Sequence, residues 1–193
     1  MSVRAGAGLL GLALLLGAGS QARAQAGLAN GDFAHNLSAW QSLEGIAPAQ
    51  AQWVSEDVDG LPGSGAVELR NPQPGNGGTQ VVLTQCVSLE GVGFPLPAGF
   101  SAWVDGEGGA GIEASALYTE FNDAHCQLAN GFQPARSVTD GTPGWQSVQF
   151  DYQPLAGSTR SVQVSLALRK GVGSGLGGRV LFDTGQSGTV LLH

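Results

Sequence analysis

The chain has 193 residues, with 8 Lys and Arg against 15 Asp and Glu and a formal net charge of −7. That balance argues against nucleic acid and anionic membrane surfaces as partners. Apolar residues are 42% of the chain and recur with a period of two, so the 32 glycines read as turns between strands and not as a sign of disorder.

Residues 1–26 read as a secretory signal to be cleaved: Arg4 gives the positive start, Leu9 to Leu16 the apolar run, and Ala22-Arg23-Ala24 or Ala24-Gln25-Ala26 the cleavage site. The run is too short to cross a bilayer, and no later apolar stretch is long enough, so no membrane insertion is expected. Export to the periplasm or the extracellular space follows. Loss of Arg4 and Arg23 leaves six basic residues against fifteen acidic ones, a net charge of −9 on the mature chain. Residues 27–193 are expected to form one domain.

Residues 28–40 are expected to be the first strand of that domain. A short strand over Gln52–Ser55 precedes the acidic turn Glu56-Asp57-Val58-Asp59-Gly60 and a strand over Gly65–Arg70, in which Val67 and Leu69 face inward and Glu68 outward. Residues 71–78 are a loop. Thr79–Leu89 is the most apolar strand, with Val81, Leu83 and Val87 on one face. Phe100–Asp105 alternates Phe100, Ala102 and Val104 against Ser101, Trp103 and Asp105. Ile112–Phe121 is one long strand ending in a turn that delivers Cys126.

The clearest alternation comes later, in Val148, Phe150 and Tyr152 and then in Val162, Val164, Leu166 and Leu168. A glycine-rich loop over 171–178 lacks the order of a phosphate-binding fingerprint. Arg179–Phe182 closes the set. About eight short strands and no helical periodicity predict an all-β fold, a two-sheet jelly-roll sandwich. Cys86 and Cys126 are the only cysteines, and in an oxidising compartment an even pair is most simply a disulfide.

Asn30-Gly31-Asp32-Phe33 with Leu37-Ser38-Ala39-Trp40, then Gly63 to Leu69, Gln85-Cys86-Val87, Gly144 to Val148 and Val180-Leu181-Phe182-Asp183 resemble a known group. It is the galactose-binding-like jelly rolls of carbohydrate-binding module families four, nine and twenty-two, the CenC type. The resemblance implies a carbohydrate partner and a structural calcium at Asp32 and Asp183; otherwise no cofactor is expected. Asp183 is followed by Thr184-Gly185-Gln186, where the family has a second acidic residue and a final strand.

Flat aromatic rings suit sugar because the C–H faces of a pyranose stack on them while amides and carboxylates bond the hydroxyls. Trp103 and Tyr118, with Trp53 beside a loop, are the candidate platforms, and Gln149, Gln163, Glu68 and Arg70 the candidate polar contacts. Trp40 and Trp145 are expected in the core. No catalytic residues are assigned: Glu113 and Glu120 lie an odd number of residues apart on one strand and so face opposite sides, and the histidines fall in loops or at the end.

The expected function is therefore a secreted, non-catalytic module that binds carbohydrate. Two alternatives stand beside it: a structural or adhesive envelope domain with no glycan ligand, and a small extracellular glycoside hydrolase or polysaccharide lyase. The oligomeric state is left open.

Overall fold

The computed structural model describes residues 27–43, 50–58, 60, 64–72, 80–106, 111–171 and 177–183. The expected signal over 1–26 and most of the 71–78 and 171–178 loops lie outside the described residues. Among them are eleven strands and no helix: β1 (Gln41–Leu43), β2 (Gln50–Val54), β3 (Ala66–Asn71), β4 (Gln80–Ser88), β5 (Leu96–Gly106), β6 (Ile112–Phe121), β7 (Ala129–Phe132), β8 (Arg136–Thr139), β9 (Trp145–Tyr152), β10 (Ser161–Lys170) and β11 (Gly178–Asp183). They pair antiparallel into two sheets. The first runs β1-β4-β10-β6-β7, with β8 also on β6, and the second runs β2-β3-β11-β5-β9.

Alternation decides which side chains meet between the sheets. Val162, Val164, Leu166 and Leu168 on β10 stand in register with Val87, Gln85, Leu83 and Val81 on one neighbour. On the other neighbour they meet Glu120, Tyr118, Ala116 and Ala114. Facing them from the second sheet are Val67, Leu69, Phe100, Ala102, Val104, Val180 and Phe182, all buried in the same core. Burying a side chain of this size contributes about 1.5–3 kcal/mol, so this double layer holds the sandwich together. Arg136 closes one open edge, its guanidinium 4.8 Å above the Phe150 ring.

Close approach of the sheets depends on Gly178. A Cβ there would lie 2.7 Å from Ile112 Cδ1. Gly178→Ala is expected to cost about 1–3 kcal/mol of stability, read as a lower denaturant midpoint with an unchanged slope.

The expected first strand over 28–40 is not a strand. Asn30, Phe33 and Ala39 all have positive φ, which an extended chain cannot accommodate, and pairing begins only at Gln41. The segment is instead a clasp. Its Ala29 N–H donates to Gln85 Oε1 at 2.6 Å and its carbonyl accepts from Gln85 Nε2 at 2.9 Å. Phe33 and Trp40 drop into the core with ring centroids 5.4 Å apart. The short strands β7 and β8 were also not expected; they carry only weak alternation and are held by their pairing to β6.

Cys86 and Cys126 form a disulfide across 40 positions. It joins β4 to the turn after β6, where the N–H groups of His125, Gln127 and Leu128 donate to the Asp123 carboxylate at 2.6–3.3 Å. Desolvation works against ionisation there, but those donors outweigh it and hold the Asp123 carboxyl below its usual range.

Candidate functional site

Residues with odd numbers on β10 face away from the core. Across the first sheet they line up in rows: Cys86–Gln163–Thr119–Phe132, Gln41–Thr84–Ser165–Leu117, and Leu43–Val82–Ala167–Ser115–Ser137. Beside Val82 and Leu117, the middle of this outer face is built from short side chains. Thr84, Ser115, Ser165 and Ala167 are 2%, 0%, 8% and 0% exposed although they face away from the sandwich core. Taller residues at the two edges stand clear of that floor: Leu43 on β1 is 53% exposed and Phe132 on β7 is 72% exposed. With neighbouring strands about 4.8 Å apart, the five strands give a trough about 19 Å wide.

One end of the trough deepens into a recess of 390 Å³ lined by Gln41, Thr84, Gln85, Gln163, His125 and the Cys86–Cys126 disulfide. Its donors and acceptors are amides, a hydroxyl and an imidazole. The amides and the hydroxyl bond sugar hydroxyls in either direction. Gln163 is the one candidate polar residue that the structure places here.

The other candidates separate. Trp103, Gln149, Glu68 and Arg70 lie on the outer face of the second sheet, on the far side of the molecule. There Glu68 is buried and committed: it accepts from Gln52 at 2.7 Å and from Arg179 Nε, while Arg70 Nε stands at 3.6 Å. Trp53 is 37% exposed at the sheet edge, where its Nε1 donates to the Phe33 carbonyl at 2.6 Å.

Tyr118 corrects the expectation. It shares its side of β6 with Ile112, Ala114 and Ala116 and faces the core, 3% exposed, against Phe150 at 5.3 Å and Tyr152 at 6.1 Å. Burial pushes its hydroxyl pKa well above the ordinary tyrosine value. It packs the interior and offers no platform. Leu117 and Phe121 on the opposite side of the strand had hidden that assignment, because both faces of β6 read as apolar. Trp145 departs in the other direction: it is half-buried on the outside, its ring 6.5 Å from that of Trp103. Phe132 went unnoticed since a four-residue strand around a glycine gives no periodic signal; only the pairing Thr119–Phe132 reveals its face.

For the expected calcium, Asp32 is exposed in a turn, and Asp183 is fully buried at the end of β11, accepting from the Val58 N–H at 3.0 Å. One residue before Val58, the Asp57 Oδ2 is buried without a hydrogen bond. Among the described residues, however, no three His, Cys, Asp or Glu converge, so side chains alone do not complete the six to eight oxygens calcium takes. Glu113 and Glu120 face opposite sides of β6, Glu120 being wholly buried.

No protein-family model matches the chain and no curated protein matches it. Solved structures do. A family 61 carbohydrate-binding module, TmCBM61, determined with β-1,4-galactotriose, has a TM-score of 0.50 at 18% identity over 82% of this chain and 94% of that one. The family 11 module of the cellulosomal cellulase Lic26A-Cel5E of Clostridium thermocellum has a TM-score of 0.51 at 13% identity over 83% and 91%. A structure from a study of promiscuous specificity in carbohydrate-binding modules of the β-sandwich superfamily has a TM-score of 0.53 at 11% identity over 82% and 59%. What this chain shares with these modules is the fold, a two-sheet antiparallel jelly roll.

Proposed function

We propose that this protein is a secreted, non-catalytic module of the CenC-like group that binds a neutral glycan in the trough of the first sheet. The observation that carries the reading is the exposed Phe132 ring on the same outer face as Gln163, in the same row and two strands away across Thr119. An aromatic rim, a low hydroxyl-bearing floor and an amide-lined recess match the two kinds of surface a sugar presents, C–H faces and hydroxyl edges. Solved modules of the same fold bind oligosaccharides, which supports the reading. The disulfide fits export to an oxidising compartment.

Titration with soluble oligosaccharides such as xylohexaose, cellohexaose and β-1,4-galactotriose tests it. Phe132→Ala and Gln163→Ala are each expected to weaken binding about tenfold, near 1.4 kcal/mol, with melting temperature unchanged because Phe132 is exposed and Gln163 half-buried on an outer face. Affinity and stoichiometry both unchanged in the double variant reject the trough. Calcium is proposed at Asp32 and Asp183, the pair that the resemblance implies. A bound ion raises the melting temperature in millimolar calcium over that in chelator, and coincident curves remove it.

A further inference from the structure

The second sheet carries a separate feature that the trough does not use. Between β5 and β9, three successive outward pairs stand side by side: Trp103 with Trp145, Ser101 with Ser147, and Gly99 with Gln149. The two indoles are half-buried with their rings inclined at 55° and centroids 6.5 Å apart, the serine hydroxyls are 2.8 Å apart, and Gln149 is exposed. At about 3.4 Å per residue the strip from Trp103 to Gly99 is about 14 Å long. Gly99 keeps it low, since a Cβ there would meet the Val148 carbonyl at 2.5 Å and Gln149 Cγ at 3.3 Å.

We infer that this strip is a second glycan-binding surface, on the opposite face from the trough and selective for uncharged sugars. The inference rests on the proposed function in one respect only, that the natural ligand is a polysaccharide. Its chemistry is argued from this face alone: apolar rings beside a paired hydroxyl donor and acceptor and a side-chain amide. Charge selects among sugars. The same sheet face and the turn over it carry Glu56, Glu68, Asp105 and Asp151 against Arg70 and Arg179. Arg179 bonds both Glu56 and Glu68, and Arg70 lies against Glu68, so both guanidinium groups are already compensated. An acidic polymer meets excess negative charge there, whereas a neutral one does not.

Two faces on one module would join two chains of a polymer, or two stretches of one chain, and raise avidity without any new contact. Isothermal titration with xylohexaose, cellohexaose and β-1,4-galactotriose, with oligogalacturonate as the charged probe, measures this. The expected result is two oligosaccharides per chain for the wild type with a neutral probe. One is expected for Trp103→Ala/Trp145→Ala and one for Phe132→Ala/Gln163→Ala, with none of the charged probe on the Trp face. Intrinsic fluorescence gives a second reading, because Trp40 and Trp53 bond the Asn30 and Phe33 carbonyls elsewhere. A sugar-induced shift is expected in the Phe132→Ala/Gln163→Ala protein and not in the tryptophan variant. Gln149→Ala, at an exposed position, serves if the tryptophan variant does not fold, and is expected to weaken the second site at least threefold. A wild-type stoichiometry of one that the tryptophan and Gln149 substitutions leave unchanged overturns the second surface and spares the trough. Absence of binding by any neutral probe overturns both.

Discussion

Glu120→Ala is expected to destabilise the protein by about 3–5 kcal/mol, the most for any single side chain outside the apolar core. Glu120 is 0% exposed and faces inward at one end of the sandwich. Hydrogen bonds hold its carboxylate. Oε1 accepts from Gln133 Nε2 at 2.7 Å, from the Tyr152 hydroxyl at 3.1 Å and from the Leu155 N–H at 3.0 Å. Oε2 accepts from the same N–H and from the Thr159 hydroxyl, each at 3.0 Å. Four donors from β9, the loop between β7 and β8 and the loop before β10 thus converge on one residue of β6.

Truncation strands these donors and opens a cavity, and each unmet buried group costs about 1–3 kcal/mol before water or local rearrangement offsets part of it. Burial, and then the charge of Glu120, push the Tyr152 hydroxyl pKa far above its usual range, which favours the protonated form that donates to Glu120. Glu120→Gln keeps the shape and replaces one acceptor by a donor among donors; a loss of about 1–3 kcal/mol is expected for it. Chemical denaturation of the three proteins checks the order. Equal stability of the alanine and wild-type proteins would show that water takes over the role of the carboxylate.

The same residue marks how far the sequence could be read. Alternation on β10 and on Val148 to Tyr152 gave the strands and their inner faces directly, because polar and apolar residues there are cleanly segregated. Opposite faces for Glu113 and Glu120 followed from their odd separation alone. What failed was reading aromatic residues by type. Tyr118 and Trp145 exchanged places, the first buried and the second outside, since a strand apolar on both sides and a tryptophan at a strand's first position carry no periodic information. Gathering Gln163 with Trp103, Gln149, Glu68 and Arg70 failed for another reason. Parity says which residues share a face of one strand, but only the pairing order says which sheet that strand joins, and β10 and β5 belong to different sheets.

Removing the disulfide is expected to cost about 4 kcal/mol. The chain-entropy relation gives this for a loop closed over the 40 positions between Cys86 and Cys126. For a chain of this size that corresponds to a melting temperature lower by roughly 8–16 °C. The local turn does not depend on the bridge alone. Asp123 gathers three N–H groups, and the Ser161 hydroxyl donates to the Asp123 carbonyl at 2.6 Å while accepting from the Cys126 N–H at 3.2 Å. These bonds also hold Cys126 at φ 55°, a left-handed conformation that costs a residue with a Cβ about 1–2 kcal/mol. Glycine at that position adopts it freely. The Cys86→Ser/Cys126→Gly protein is therefore expected to recover about 1 kcal/mol relative to Cys86→Ser/Cys126→Ser. Since Cys86 and Cys126 line the recess with Gln163 and His125, both variants are also expected to bind neutral oligosaccharide in the trough more weakly than the wild type. A serine pair as stable as the native protein would mean that the hydrogen-bonded turn, and not the covalent link, fixes this end of the trough.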